Sequence, residues 1–318
     1  MNSDQYHRGL HRFACATPIV ALVTVIAGAL VTSKRAGMAF RDWPSSDGHF
    51  MLSYPWLRDF ATNWDKFLEH GHRLAGATIG LWVILLLCWL LKSESRRWVK
   101  WAGGLVLLSV VAQGLLGGMR VRLDAQTLAM LHGGLAACVL SLMAVLATVL
   151  SRNWLQAKDR FADVDVGLAK PMAALIVCLL AMQFLLGGLI RHMGTGLHEH
   201  LVMGIASLVL IVANAFLTRG SASNWIARSG WLLLSVALLQ VALGAGAWVV
   251  KYGFAATGFV ATADSIGQVA FRTAHTVVGI LLFMTAVVHA VRVLRVDAVS
   301  EYVQGPILSQ AAAPGGVA

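Results

Sequence analysis

Apolar residues in this chain collect into eight long runs divided by shorter polar stretches. The runs cover residues 15–33, 71–92, 101–119, 127–150, 170–190, 197–218, 229–250 and 269–294. A helix rises about 1.5 Å per residue, so runs of this length suit a hydrocarbon layer about 30 Å thick. Backbone amides in lipid have no water to bond to, and a helix satisfies its own. The pattern predicts an all-α integral membrane protein with eight transmembrane helices. The first run follows His7, Arg8, His11 and Arg12, a basic lead that secretory signals also carry. Its apolar part is long and no small-residue cleavage pattern precedes Lys34, so a retained helix is expected. The stretch from Ser300 to Ala318 has Pro, Gly and Ala without periodicity, and is expected to be disordered.

Composition sharpens the class. Only 13% of residues are charged, against about 25% in soluble domains. The formal net charge of +10 raises the question of nucleic acid. The Lys and Arg residues sit mainly in short loops, however, so they report topology and lipid contact, and no nucleic-acid partner is expected. A cytoplasmic N-terminus puts the densest clusters inside: Arg8 and Arg12, then Arg96, Arg97 and Lys100, then Arg152, Lys158 and Arg160. The C-terminus is then cytoplasmic too. The opposite face also carries positive charge, in Arg120, Arg122, Arg191 and Lys251 among others. The cysteines, Cys15, Cys88, Cys138 and Cys178, form no CxxC pair and fall in no clear loop. They are expected to be inert helix-packing residues, with no disulfide framework or zinc site.

Internal repetition carries the most information. Gly28-Ala-Leu-Val-Thr-Ser-Lys-Arg-Ala-Gly37 aligns without gaps on Gly187-Gly-Leu-Ile-Arg-His-Met-Gly-Thr-Gly196. His72, His132, His200 and His275 each lie near the start of an even-numbered run, with Gly76, Ala136, Gly204 and Gly279 four residues later. Gln-x-x-x-Gly recurs at Gln113/Gly117, Gln183/Gly187 and Gln240/Gly244. Two parallel four-helix units explain all three echoes. The expected organisation is a cytoplasmic segment 1–14, an N-terminal bundle 15–150, a cytoplasmic linker 151–169, a C-terminal bundle 170–295 and a tail 296–318. The two bundles are pseudo-symmetric.

Even-numbered helices all enter from one face, so the four histidines share one depth. An ionisable residue inside a membrane bundle is costly unless it is used. Neutral imidazole is a good iron ligand, and a small residue one turn further on leaves room for a flat macrocycle. His72 with His132, and His200 with His275, are therefore expected to form two bis-histidine heme sites inside the bundles. His198 rivals His200, and the repeat register favours His200. His70 and His192 fit the pattern less well, and His289 is expected to be structural.

These residues resemble a known family. Glu69-His70-Gly71-His72-Arg73 looks like the Glu-x-x-His-Arg signature of heme A synthase. Thr32 to Gly37 with Asp42-Trp43-Pro44 resembles that family's first outer loop, and Gln113 to Gly118, Leu131-His132 and Arg272-Thr-Ala-His275 also fit. The resemblance spans about residues 15 to 295. It implies a membrane oxidoreductase that converts heme O to heme A, oxidising a ring methyl to formyl for terminal oxidases. By position, His72 and His132 would flank the substrate heme, with Arg73 beside it. His200 and His275 would ligate a heme b, with Arg191 and Arg272 pairing to its propionates. Glu69 would be the catalytic carboxylate, stabilising positive charge at the oxidised carbon and accepting its proton. The equivalent place in the second half is Leu197. Some members carry a cysteine pair in the first outer loop; this chain has none there, which places it in a cysteine-lacking branch.

Two other functions fit the same residues: a diheme b-type electron-transfer protein, and a heme-binding oxidase-assembly factor. A transporter fits poorly, since the repeated polar residues are metal-ligand types. The expected partners are heme O, the farnesyltransferase that produces it, and an unidentified electron donor; association of several copies is left open. The expected location is a bacterial inner membrane, since no Arg- and Ser-rich transit segment leads the chain.

Overall fold

The computed structural model describes residues 6–161, 166–219 and 223–311, with side chains described as far as Ser300. Parts of the expected N-terminal segment (1–5), linker (162–165) and tail (312–318) lie outside the described residues. Eight helices are long and apolar enough to cross a membrane: α1 Arg8–Ser33, α2 Trp64–Ser93, α3 Arg97–Leu123, α4 Gln126–Val149, α5 Ala169–Met193, α6 Leu197–Arg219, α7 Asn224–Tyr252 and α8 Ile266–Ala311. The chain is a multi-pass membrane protein.

Several helices start earlier than their apolar runs. α2 begins at Trp64, where the Asn63 side chain accepts a hydrogen bond from the Lys66 amide at 3.1 Å. Such a cap satisfies one of the free amides at a helix start. Glu69, His70 and His72 therefore lie well inside the helix and not at its head. The polar first turns of α1 and α2 are helical without being apolar, and hydropathy alone does not register them. α8 corrects the sequence reading at the other end. It continues past 294, and Val293, Val296 and Val299 are fully buried in a cluster with Ala157 and Phe161. Val296 and Val299, in the stretch read as tail, are part of the core, and the helix itself runs to Ala311. The cysteines also differ from expectation. All four are free, and all face outward from the helices, with none in the packing.

The helices form two rings. α1 to α4 close on themselves through the contacts α1–α2, α2–α3, α3–α4 and α4–α1. α5 to α8 close in the same order, and the rings meet through α1 and α4 against α5 and α8. This arrangement is compatible with a duplicated bundle. Turns on the histidine face are of two kinds. α3 and α4 are joined by Asp124, in the left-handed region at φ 46°, and Ala125. α5 and α6 are joined across Gly194 and Gly196, at φ 74° and 86°. Residues 34–63 and 253–265 are longer connections. On the opposite face, burial pushes the Glu94 carboxyl up, but the Arg96 side chain, 2.9 Å away, outweighs this and holds it below the usual carboxylate range.

Candidate functional site

The four repeated histidines form two pairs. His72 of α2 and His132 of α4 have ring centroids 6.3 Å apart and planes at 89°. His200 of α6 and His275 of α8 are also 6.3 Å apart, at 78°. Each separation leaves room for one ion gripped from both sides by metal–nitrogen bonds of about 2 Å.

Each imidazole has a seat on the preceding helix. A β-carbon added at Gly28 would lie 2.7 Å from Cε1 of His72, and one at Gly117 would lie 2.8 Å from Cε1 of His132. The matching distances are 3.6 Å for Gly187 under His200 and 3.0 Å for Gly244 under His275. At Gly28 and Gly117 only glycine lets the helices approach this closely; at Gly187 a methyl would make ordinary contact. Four residues before each seat stand Thr24, Gln113, Gln183 and Gln240. His72 donates from Nδ1 to the Thr24 carbonyl at 3.0 Å, and His275 does the same to the Gln240 carbonyl at 3.2 Å. A carbonyl only accepts, so the proton is on Nδ1 and Nε2 carries the lone pair a metal would take; at His275 the side-chain amide of Gln240 lies 3.4 Å from that nitrogen. Gln113 and Gln183 bond differently: their side-chain amides donate to the carbonyls of His132 and His200, at 2.8 and 2.9 Å. Nδ1 of His132 and of His200 is buried without a partner, as are the side-chain acceptors of Thr24, Gln113, Gln183 and Gln240.

Unsatisfied polar atoms grouped around facing imidazoles suit a bound group better than an empty core. The paired rings, their spacing and their glycine seats fit an iron porphyrin held by two axial histidines. The small residues four after each histidine prove less uniform than the spacing implied. A β-carbon at Gly76 would meet nothing, whereas at Gly204 and Gly279 it would meet the side chains of Gln183 and Gln240. In the second pair that room is already used. The glycines that touch the imidazoles are on the odd helices. The sequence signalled them as Gln-x-x-x-Gly, with Thr24-x-x-x-Gly28 as the undetected fourth copy.

The remaining candidates divide clearly. His198 is exposed, and His200 faces His275. His70 is buried and bonds through Nδ1 to the Ser46 hydroxyl at 3.0 Å, away from either pair. His289 is fully buried between Asn214 at 3.0 Å and Ser229 at 2.8 Å, in a polar contact among α6, α7 and α8. His289→Leu is expected to lower the melting temperature while leaving any bound heme per protein unchanged; a parallel fall in heme content would make it part of a site.

Glu69 ties down the first long loop. Its Oε2 accepts from the amides of Ala39 at 2.8 Å and Phe40 at 3.2 Å, and its Oε1 from Arg73 at 2.8 Å. Arg73 also donates to the carbonyls of Asp42 at 3.0 Å and Ser45 at 2.7 Å, and lies over the ring of the fully buried Phe40. Arg120 of α3 donates to the Gly37 carbonyl. Further out, burial pushes the Asp42 carboxyl up. The Gly48 and Asp47 amides at 2.9 and 3.0 Å and the Ser45 side chain outweigh that and hold it below its ordinary value. Tyr54 is driven well above the phenol range by burial and by its 2.7 Å hydrogen bond to Asp59. The arginines of the second half differ. Arg191 bonds to Ser33 of α1 at 2.9 Å, to the Ala29 carbonyl at 3.2 Å and to Thr276 of α8. Arg272 lies within electrostatic range of Arg191, and neither has an acidic partner among the described residues.

Comparison with known proteins finds chains similar to this one. A family model described as "Cytochrome oxidase assembly protein" matches residues 61–201, the stretch that holds Glu69, His72, His132 and His200. The chain is 23% identical over 273 residues to the "Heme A synthase" of Lysinibacillus sphaericus, covering 76% of this chain and 85% of the relative. It is 26% identical over 269 residues to that of Geobacillus kaustophilus, covering 75% and 81%. Over about three quarters of its length the chain is similar to heme A synthases. A further heme A synthase, from Halalkalibacterium halodurans, is 30% identical over 146 residues, but that match spans 45% of this chain and only about half, 47%, of the relative. The family match ends near His200, so His275 and its seat Gly244 rest on the repeat and on the geometry of the pair.

Proposed function

We propose that this protein makes heme A from heme O, oxidising one ring methyl to a formyl group. The observation that carries the proposal is the contrast between two equally spaced histidine pairs, only one of which, among the described residues, has a buried carboxylate and a tied loop beside it. The first pair would hold heme O as substrate between His72 and His132. The second pair holds heme b through His200 and His275, and that group when bound supplies one-electron transfer. Arg191 and Arg272 offer positive charge to its carboxylates.

The chain's own residues do the positioning. The Thr24 carbonyl holds His72 in the tautomer that presents Nε2 to iron, and Gln240 does so for His275. Glu69 and Arg73 draw residues 39–46 down against α2, which excludes water from that side. Glu69 also places negative charge beside the first pair, where it stabilises positive charge developing at the oxidised carbon and takes up its proton. Heme O reaches this site from the farnesyltransferase that produces it; taking the methyl to a formyl removes four electrons and adds one oxygen, so it requires dioxygen as oxidant, with a membrane donor supplying the electrons that reduce the remaining oxygen to water. With the N-terminus in the cytoplasm of a bacterial cell, both pairs lie towards the outer leaflet of the inner membrane.

The near identity of the two pairs favours a second reading, a diheme electron carrier. One experiment separates them: heme extraction and chromatography from membranes that contain a heme O source, with and without this chain. Heme A, or its hydroxylated precursor, is expected only with the chain. Heme b bound to purified protein, with heme O unconverted in the presence of a competent donor, would overturn the synthase proposal in favour of the carrier.

A further inference from the structure

Arg191 is a permanently charged group set among three helices of the two rings. One nitrogen of its guanidinium donates to Thr276, the residue after His275. The other donates to Ala29 and Ser33 of α1, and Ala29 follows Gly28, the seat of His72. Its Nε is buried without a partner, and Arg272 repels it from nearby. A buried cation left without a counter-charge is costly, so the site calls for an anion, and a spare donor is already in place. The same side chain thus joins backbone next to the seat of His72 on α1 to the residue after His275 on α8.

We propose that Arg191 is a positioning residue that couples the two sites. It rests on the heme reading given above and goes beyond it. Arg191 holds a carboxylate of the second-site heme, and its hold is set by α1 of the first ring. Occupation of the first site presses His72 on Gly28, moves the Ala29 carbonyl, and changes how strongly the guanidinium faces the second site. A positive charge near a heme favours its reduced form, so this contact is read as a reduction potential. Linkage makes the effect reciprocal, and the run of packed and hydrogen-bonded groups from Gly28 through Ala29 and Arg191 to Thr276 is a physical carrier for it.

The test is a redox titration of the purified full-length protein, followed at the heme absorption bands, with the first site empty or filled with heme O. In the unaltered protein, filling the first site is expected to shift the midpoint of the second-site heme. Arg191→Met is expected to lower that midpoint and abolish its response, and Arg191→Lys to recover part of the midpoint. Ser33→Ala keeps the charge and lies in the other ring; it is expected to reduce the response with heme content unchanged. If Arg191→Met binds no heme, Ser33→Ala and Thr276→Val decide the matter. A midpoint indifferent to Ser33→Ala and to first-site filling would overturn the coupling while leaving the heme reading intact. An unaltered protein that binds no heme at all would overturn both.

Discussion

Alanine placed in turn at the four glycine seats is expected to empty the heme sites in a fixed order. Gly28→Ala and Gly117→Ala should be the most damaging, since their new β-carbons would stand 2.7 and 2.8 Å from imidazole carbons. Real β-carbons do not come this close, so either the ring or the helix must move. Gly244→Ala, at 3.0 Å, should be intermediate, and Gly187→Ala, at 3.6 Å, close to neutral. Overpacking of this kind costs about 1–3 kcal/mol. Concentrated on an axial ligand, that is roughly a 10- to 100-fold loss of affinity. The readout is the low-spin heme spectrum per protein, with circular dichroism to show that the helices persist. Gly117→Val, with a larger side chain against His132, should remove the first-site signal altogether. If all four alanines gave equal occupancy, the glycines would be helix-packing residues only and the seat would not exist.

Glu69 offers the second large effect, because the carboxylate has two jobs that substitution pulls apart. Glu69→Ala strands Arg73, whose side chain is only 8% exposed. Removing one partner of a buried ion pair typically costs about 3–5 kcal/mol. The loop from Ala39 to Ser46 loses both of its amide anchors in the same step. Glu69→Gln keeps an acceptor for those amides and drops the charge. If charge at the oxidised carbon is what matters, glutamine should form as little product as alanine while the loop stays resistant to protease. If anchoring matters more, glutamine should be intermediate in both. Glu69→Ala with Arg73→Met should recover stability relative to Glu69→Ala alone, since no charge is then left unpaired. Product formation should not return with it. A fully active Glu69→Ala protein would remove Glu69 from the chemistry.

Hydropathy made the eight spans legible because lipid imposes one requirement on every residue of a span. It did not mark where α2 begins, since Asp65 and Lys66 are helical without being apolar. Nor did it show that Val296 and Val299 pack in the core, since the end of a hydrophobic run says nothing about what covers it. The histidine pairs were visible in the repeat, because spacing along helices that share a direction fixes depth. Their seats were only half visible. Gln-x-x-x-Gly stood out three times, but threonine replaces glutamine in the first helix, and only the contact with His72 shows that Thr24 belongs to the set. The anchoring role of Glu69 was beyond reach, because its partners are backbone amides thirty residues away in sequence, and backbone amides leave no signature in a list of side chains. The bridge made by Arg191 was hidden for a similar reason, since it depends on how the two rings meet.

Each histidine and its seat belong to the same hairpin: α1 with α2, α3 with α4, α5 with α6, α7 with α8. This has a consequence for biogenesis. A bare imidazole makes insertion of a helix into the bilayer harder. Every hairpin brings its own glycine surface, and those of α1–α2 and α7–α8 also bring a carbonyl acceptor, so these two are expected to leave the insertion machinery with their imidazole already partnered. Assembly of the finished protein is then the lateral meeting of hairpins within the membrane.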